Sequence, residues 1–148
     1  MSSGQTFVYV TYIATTPEKV WQALIDGQLT RQYWKHENVS DWKPGSHWQH
    51  VADDPDRTLK LVGKILEVIP NQRLALTWGD AADGPEGPQH SRVTFELESV
   101  GTMVRLTVTH EDLEPGSEML GKITNGWPRV LSSLKSLLET GKALDTWA

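Results

Sequence analysis

His47, His50 and His110 are the side chains whose type and setting could do acid–base or ligand chemistry in this chain. An unperturbed imidazole titrates near neutral pH, so a buried one could act as acid, base or hydrogen-bond partner. His47 and His50 lie three residues apart. On a strand that spacing puts them on opposite faces, which makes them poor joint metal ligands. No metal or other cofactor is expected. His110-Glu111-Asp112 looks like part of a catalytic set, but neighbours on a strand point apart. No serine is presented by an elbow motif, and no catalytic residue is assigned. There is no phosphate-cradling glycine loop and no dinucleotide fingerprint. The acids of Asp53-Asp54-Pro55-Asp56 read as solvated loop charges.

Tryptophan is the second unusual feature. There are seven, against five Phe and Tyr combined. Trp21 shares a helix face with Leu24 and Ile25 and reads as a core anchor. Trp78 ends an apolar strand face formed with Leu74 and Leu76. Trp34, Trp42 and Trp48 fall on short or irregular elements, where a tryptophan is either a lid over the core or a pocket wall. Trp127 reads as a pocket residue, with Leu131 beside it on the same helix. The candidates for ligand binding are therefore Trp34, Trp42, Trp48, His50, Trp78, His110, Trp127 and Leu131. Tyr9, His50 and His110 could supply the polar contact.

Elements must position these groups, and the pattern supplies them. Phe7–Ile13 is β-branched and aromatic and predicts a strand, with its inward phase left open. Thr16-Pro17-Glu18 starts a helix carrying Val20, Trp21, Leu24 and Ile25 on one face. Leu29, Tyr33 and Trp34 suggest a second short helix. Strands are expected over His47–Val51, Leu59–Ile69, Arg73–Trp78, Ser91–Glu98 and Val104–His110. Val93, Phe95 and Leu97 alternate with polar residues, as do Val104, Leu106 and Val108, the mark of an antiparallel sheet with one wet face. Asp80–Gln89 reads as a surface loop. From Leu120 to Leu138 apolar residues step by three and four, predicting a long amphipathic helix with a kink or restart at Pro128. Gly141 caps it, and Lys142–Ala148 reads as a tail. The fold class is α+β: a curved antiparallel sheet of about six strands wrapped around one long C-terminal helix. A cavity between sheet and helix is natural in that arrangement.

Length and composition agree. The 148 residues suit one domain with an ordered core over about 7–141. Zero cysteines excludes disulfides, thiolate metal sites and a cysteine nucleophile. A formal net charge of −5 argues against nucleic acid as partner. No signal peptide or membrane span is legible, so a cytoplasmic protein is expected.

Thr16-Pro17-Glu18-Lys19-Val20-Trp21, Tyr33-Trp34 and Ser40-Asp41-Trp42-Lys43-Pro44-Gly45 resemble motifs of the START-like helix-grip superfamily. Gly63–Pro70 with Leu74–Trp78, and Gly126-Trp127-Pro128-Arg129 running to Gly141, fit the same pattern. The resemblance spans roughly Phe7 to Gly141. It points to a bacterial branch similar to the C-terminal domain of the activator of the 90-kDa heat-shock chaperone's ATPase. It implies the helix-grip fold and a role drawn from ligand carriage or sensing, cyclase-type catalysis or chaperone activation. The leading expectation is a binding module for a small apolar or aromatic ligand. A cyclase- or hydrolase-type enzyme using a pocket histidine is the alternative, as is a protein-interaction domain. A homodimer and a chaperone partner stay open.

Overall fold

In the computed structural model, residues 4–87 and 90–144 are described. Strand β1 (Gln5–Ile13) leads into helices α1 (Pro17–Ile25) and α2 (Gly27–Trp34). Six strands follow: β2 (His36–Val39), β3 (His47–Ala52), β4 (Leu59–Ile69), β5 (Arg73–Asp80), β6 (Ser91–Val100) and β7 (Met103–Leu113). Helix α3 (Glu118–Thr140) completes the order. The strands form one antiparallel sheet ordered β1-β7-β6-β5-β4-β3-β2. It is a meander from β2 to β7 with β1 added beside β7, so α1 and α2 carry the chain from one edge of the sheet to the other.

Two details of the expected fold are refined. The sheet has seven strands, not about six. The extra one, β2, is the short sequence His-Glu-Asn-Val, whose four residues carry no apolar alternation. Helix α3 runs without a restart through Pro128. A proline removes one backbone hydrogen bond, but the buried Ile123, Trp127, Val130, Leu131 and Leu134 hold both halves to the sheet. The tail expected over Lys142–Ala148 lies outside the described residues from 145 onward, as do residues 88 and 89 of the expected surface loop. Among the described residues no helix is long and apolar enough to cross a membrane.

Caps set the helix limits. Thr16 Oγ1 accepts from Lys19 N–H with Pro17 opening α1, Asp26 caps α2, and Ser117 caps α3. Gly141 closes α3 at φ +84°, in the left-handed region that glycine enters without steric cost. The open phase of β1 is resolved: Phe7, Tyr9, Thr11 and Ile13 turn inward, while Val8, Val10 and Tyr12 are exposed. The core lies between the concave inner face and α3. Val93, Phe95 and Leu97 on β6, and Val104, Leu106 and Val108 on β7, pack there as the alternation predicts.

Trp48 shows what the sheet gives up to place a large ring. It lies opposite Gly63 on β4, and its indole N–H reaches across that strand to donate to Thr77 O on β5 at 2.7 Å. The Lys64 N–H is taken by the Thr77 hydroxyl at 2.8 Å. A Cβ on Gly63 would sit 2.0 Å from Thr77 O and 2.4 Å from the Trp48 indole nitrogen. A glycine inside a strand pattern marks such a close approach. Gly63→Ala is therefore expected to lower the unfolding free energy by about 1–3 kcal/mol through overpacking. Urea denaturation measures it, and an unchanged midpoint would contradict the packing of Trp48 over β4.

Candidate functional site

A cavity of about 290 Å³ opens between the β3–β5 end of the sheet and the first turns of α3. Its apolar wall is Trp34, Leu61, Trp78, Met119, Ile123, Trp127 and Val130, with Gly126 leaving room on the helix side. Its polar atoms come from His36, His50, Lys60, Asp80 and Lys122.

Three tryptophans form the hard part of the wall. Trp34, at the end of α2, stacks on Trp78 with ring centroids 6.1 Å apart and planes 20° from parallel. Trp127 from α3 is 5.4 Å from Trp34 and 5.3 Å from Trp78. Trp48 supports Trp78 from behind at 5.3 Å. Tyr33 fixes the end of α2, where its buried hydroxyl donates to Ala23 O at 2.9 Å. Burial pushes that phenol well above its usual range.

The histidines divide into two roles. His110 on β7 is fully buried and fully used. Its Nδ1 accepts from the Trp127 indole N–H at 3.1 Å, so the proton sits on Nε2. Nε2 lies 2.7 Å from Ser91 Oγ, which donates onward to Trp78 O at 2.9 Å. The relay joins α3, β7, β6 and β5 and fixes two of the three tryptophans. Burial pushes the His110 pKa down to about 3.

His50 on β3 is buried on the cavity wall. Its Nδ1 lies 2.5 Å from Asn38 Oδ1, an acceptor, which puts the ring proton there and leaves an Nε2 lone pair. His36 stacks on it with centroids 4.4 Å apart and planes 7° from parallel. His36 Nδ1 donates to Trp34 O at 2.9 Å. Burial, and then the neighbouring His36, hold the His50 pKa well below the ordinary histidine value. His50 is thus a neutral acceptor at physiological pH, and a poor base. Among the described residues no hydrogen bond reaches its Nε2. The buried indole N–H of Trp78 also has no acceptor there. The Trp78 N–H, buried and without an acceptor, calls for a partner, and His50 lines the same wall.

Of the eight sequence candidates, Trp34, His50, Trp78 and Trp127 come together on this wall. His110 and Trp48 stand behind it as supports, and Leu131 is packed in the core. Trp42 is half-buried in a turn at φ +58°, its N–H held by Ser40 Oγ, and does not reach the wall. Tyr9 is half-buried on the inner face of β1, also off the wall. Sequence reasoning missed His36, Asn38, Lys60, Asp80 and Lys122. His36 and Asn38 are on the unrecognised strand; the other three carry no local signal of facing a cavity. His47 is exposed on the opposite face from His50, as its spacing predicts, and pairs with Glu86 at 2.8 Å. Among the described residues no group of three or more His, Asp or Glu could hold a metal ion.

A curved antiparallel sheet gripping one long C-terminal helix, with an aromatic cavity between them, places the protein in the START-like helix-grip class. A model of the family described as Activator of Hsp90 ATPase homolog 1-like protein matches residues 14–139, and the chain belongs to that family. Among solved structures, the Aha1 dimer from Colwellia psychrerythraea is 24% identical with a TM-score of 0.77, covering 94% of this chain and 99% of that one. A protein from Mesorhizobium loti is 29% identical with a TM-score of 0.77, covering 90% and 96%. An Hsp90 activator from Plasmodium falciparum is 21% identical with a TM-score of 0.72, covering 90% and 95%. A comparison with curated proteins finds no match.

The buried histidines make stability depend on pH. His110 binds its proton more weakly folded than unfolded, from 6.5 down to about 3, so the folded state carries fewer protons in that window. Its contribution is intact above the unfolded value and declines as pH falls from 6.5 towards 3, by up to about 1.4 kcal/mol per pH unit. His50 acts with the same sign. His110→Leu is expected to cost about 1–3 kcal/mol at pH 7.5, by stranding the Trp127 N–H, and to flatten the decline below pH 6.5. Urea midpoints from pH 7.5 to 4 measure both. A variant as steep as the parent would contradict a neutral, buried His110.

Proposed function

We propose that the protein binds a small aromatic ligand against the wall that Trp34, Trp78 and Trp127 form. The observation that carries this is the buried Trp78 indole N–H without an acceptor, on a pre-formed, largely aromatic wall that His50 also lines. A site of this kind takes its affinity from apolar burial and its orientation from a few polar contacts. The volume holds about ten water-sized units at roughly 30 Å³ each, the scale of a bicyclic aromatic. A ligand hydroxyl would donate to His50, and a ligand oxygen would accept from Trp78. The weak basicity of His50 favours carriage or sensing over proton-transfer catalysis.

Calorimetry with 2-naphthol and naphthalene tests this reading. Both should bind, 2-naphthol more tightly. His50→Phe should weaken 2-naphthol about five- to ten-fold, the worth of one hydrogen bond, and leave naphthalene little changed. Absence of saturable heat with both compounds would overturn the reading.

A second reading rests on the family and on the outer face of β1. Val8, Val10 and Tyr12 are 54%, 45% and 41% exposed there, in a row on an edge strand. Such a row is where a protein partner, in this reading the 90-kDa heat-shock chaperone, would dock. The chaperone's ATPase rate should then rise with added protein, and less so with Val8→Asp plus Val10→Asp. An unchanged rate with the parent protein would refute this reading, and the variant's sedimentation would show whether the row instead joins two copies.

A further inference from the structure

The charged residues around the cavity narrow the chemistry of its occupant; the inference rests on the aromatic-ligand reading above and goes a step past it. Lys60 and Lys122 line the cavity from β4 and α3, and both are exposed, whereas His50 is buried. The lysines therefore mark the mouth and His50 the floor. Among the described residues neither lysine lies within ion-pair distance of a carboxylate, as six of the other twelve lysines and arginines do, and Lys60 has only the longer-range attraction of Asp54. His50 is no rival source of charge at the floor, because burial holds it neutral.

The opposite side of Trp78 has the opposite charge. A larger cleft of about 610 Å³ adjoins there, sharing Trp78, Asp80 and Met119 with the cavity. Asp83, Asp112, Glu114 and Glu118 line it, and among the described residues no basic one does. The potential thus runs from strongly negative beyond Trp78 to positive at the lysine mouth. A ligand with a charged end would be oriented by that gradient: an anionic end is repelled from the acidic cleft and drawn to the lysines. Asp80 stands at the boundary and reinforces the exclusion of an anion from that side.

We infer that the occupant is an aromatic acid, with its ring against the tryptophan wall, a hydroxyl on His50 Nε2 and its carboxylate at Lys60 and Lys122. Ring burial supplies most of the affinity, and the lysines supply selection among aromatics.

The test compares three probes by calorimetry: 6-hydroxy-2-naphthoic acid, its neutral amide, and 6-(aminomethyl)-2-naphthol. The acid should bind about five-fold or more tighter than the amide, the scale of two partly exposed ion pairs. That advantage should vanish in Lys60→Gln plus Lys122→Gln, and shrink in 1 M salt, where screening acts within about 3 Å. Neither lysine makes a close ion pair in the fold, and Lys60 has only a minor longer-range attraction to Asp54, so the double variant should unfold close to the parent's urea midpoint. Equal binding of acid and amide would overturn the inference while leaving the aromatic cavity standing. Preferential binding of the amine would also overturn it, and would assign the charge selection to the acidic cleft. No saturable heat from any of the three would remove the aromatic cavity itself, and the inference with it.

Discussion

One hydrogen-bond relay holds the working end of this domain together. The Trp127 indole donates to His110, His110 to Ser91, and Ser91 to the carbonyl of Trp78. It links the long helix to three strands through side chains that are all buried. Each group in it has one role only, because a neutral imidazole offers one donor and one acceptor and both are taken. Without it the indole N–H of Trp127 would be stranded in the interior, and the helix would lose its fixed rotation against the sheet. Two of the three tryptophans of the cavity wall would then lose their mutual geometry. The relay is thus the reason that a loosely filled region can exist next to a densely packed core.

Much of this was legible in the sequence, and the exceptions have physical causes. Alternation on Val93, Phe95 and Leu97, and on Val104, Leu106 and Val108, located β6 and β7 because each strand has one wet face. The three- and four-residue steps of α3 located its buried stripe, and Thr16-Pro17 located the start of α1. The strand His36–Val39 was not legible. It is an edge strand of four residues none of which enters the core, so no apolar period marks it. The site was half legible. Tryptophan content pointed to Trp34, Trp78 and Trp127, but it does not separate wall from support, and so Trp48 and Trp42 read like the others. Trp48 is distinguished only by Gly63, across a strand pairing that no local pattern encodes. The lysines at the mouth are invisible in sequence, since an exposed lysine beside a cavity reads like any other surface lysine.

His50 and His110 show how environment and not residue type assigns chemistry. Both are buried and neutral, on the inner faces of β3 and β7 of the same concave surface. His110 has both nitrogens occupied and is a strut. His50 has one nitrogen held by Asn38 and keeps a lone pair at the floor of the cavity. Burial makes each a weak base, which suits recognition better than proton transfer, and it does so without any change in the side chain itself.

The pairing of β1 with β7 sets an order of events during synthesis. Phe7 lies opposite His110, so the first strand to leave the ribosome waits about a hundred residues for its neighbour. Contacts of such long sequence separation slow folding, because the loop must close before they are rewarded. Until then Val8, Val10 and Tyr12 lie on an unpaired strand, and Phe7 and Ile13 have no core to enter. The sheet can grow as a meander from β2 to β7, but its first strand is fitted last. Nascent chains stalled before β7 should therefore be the form of this protein most prone to capture by holdase chaperones or to self-association.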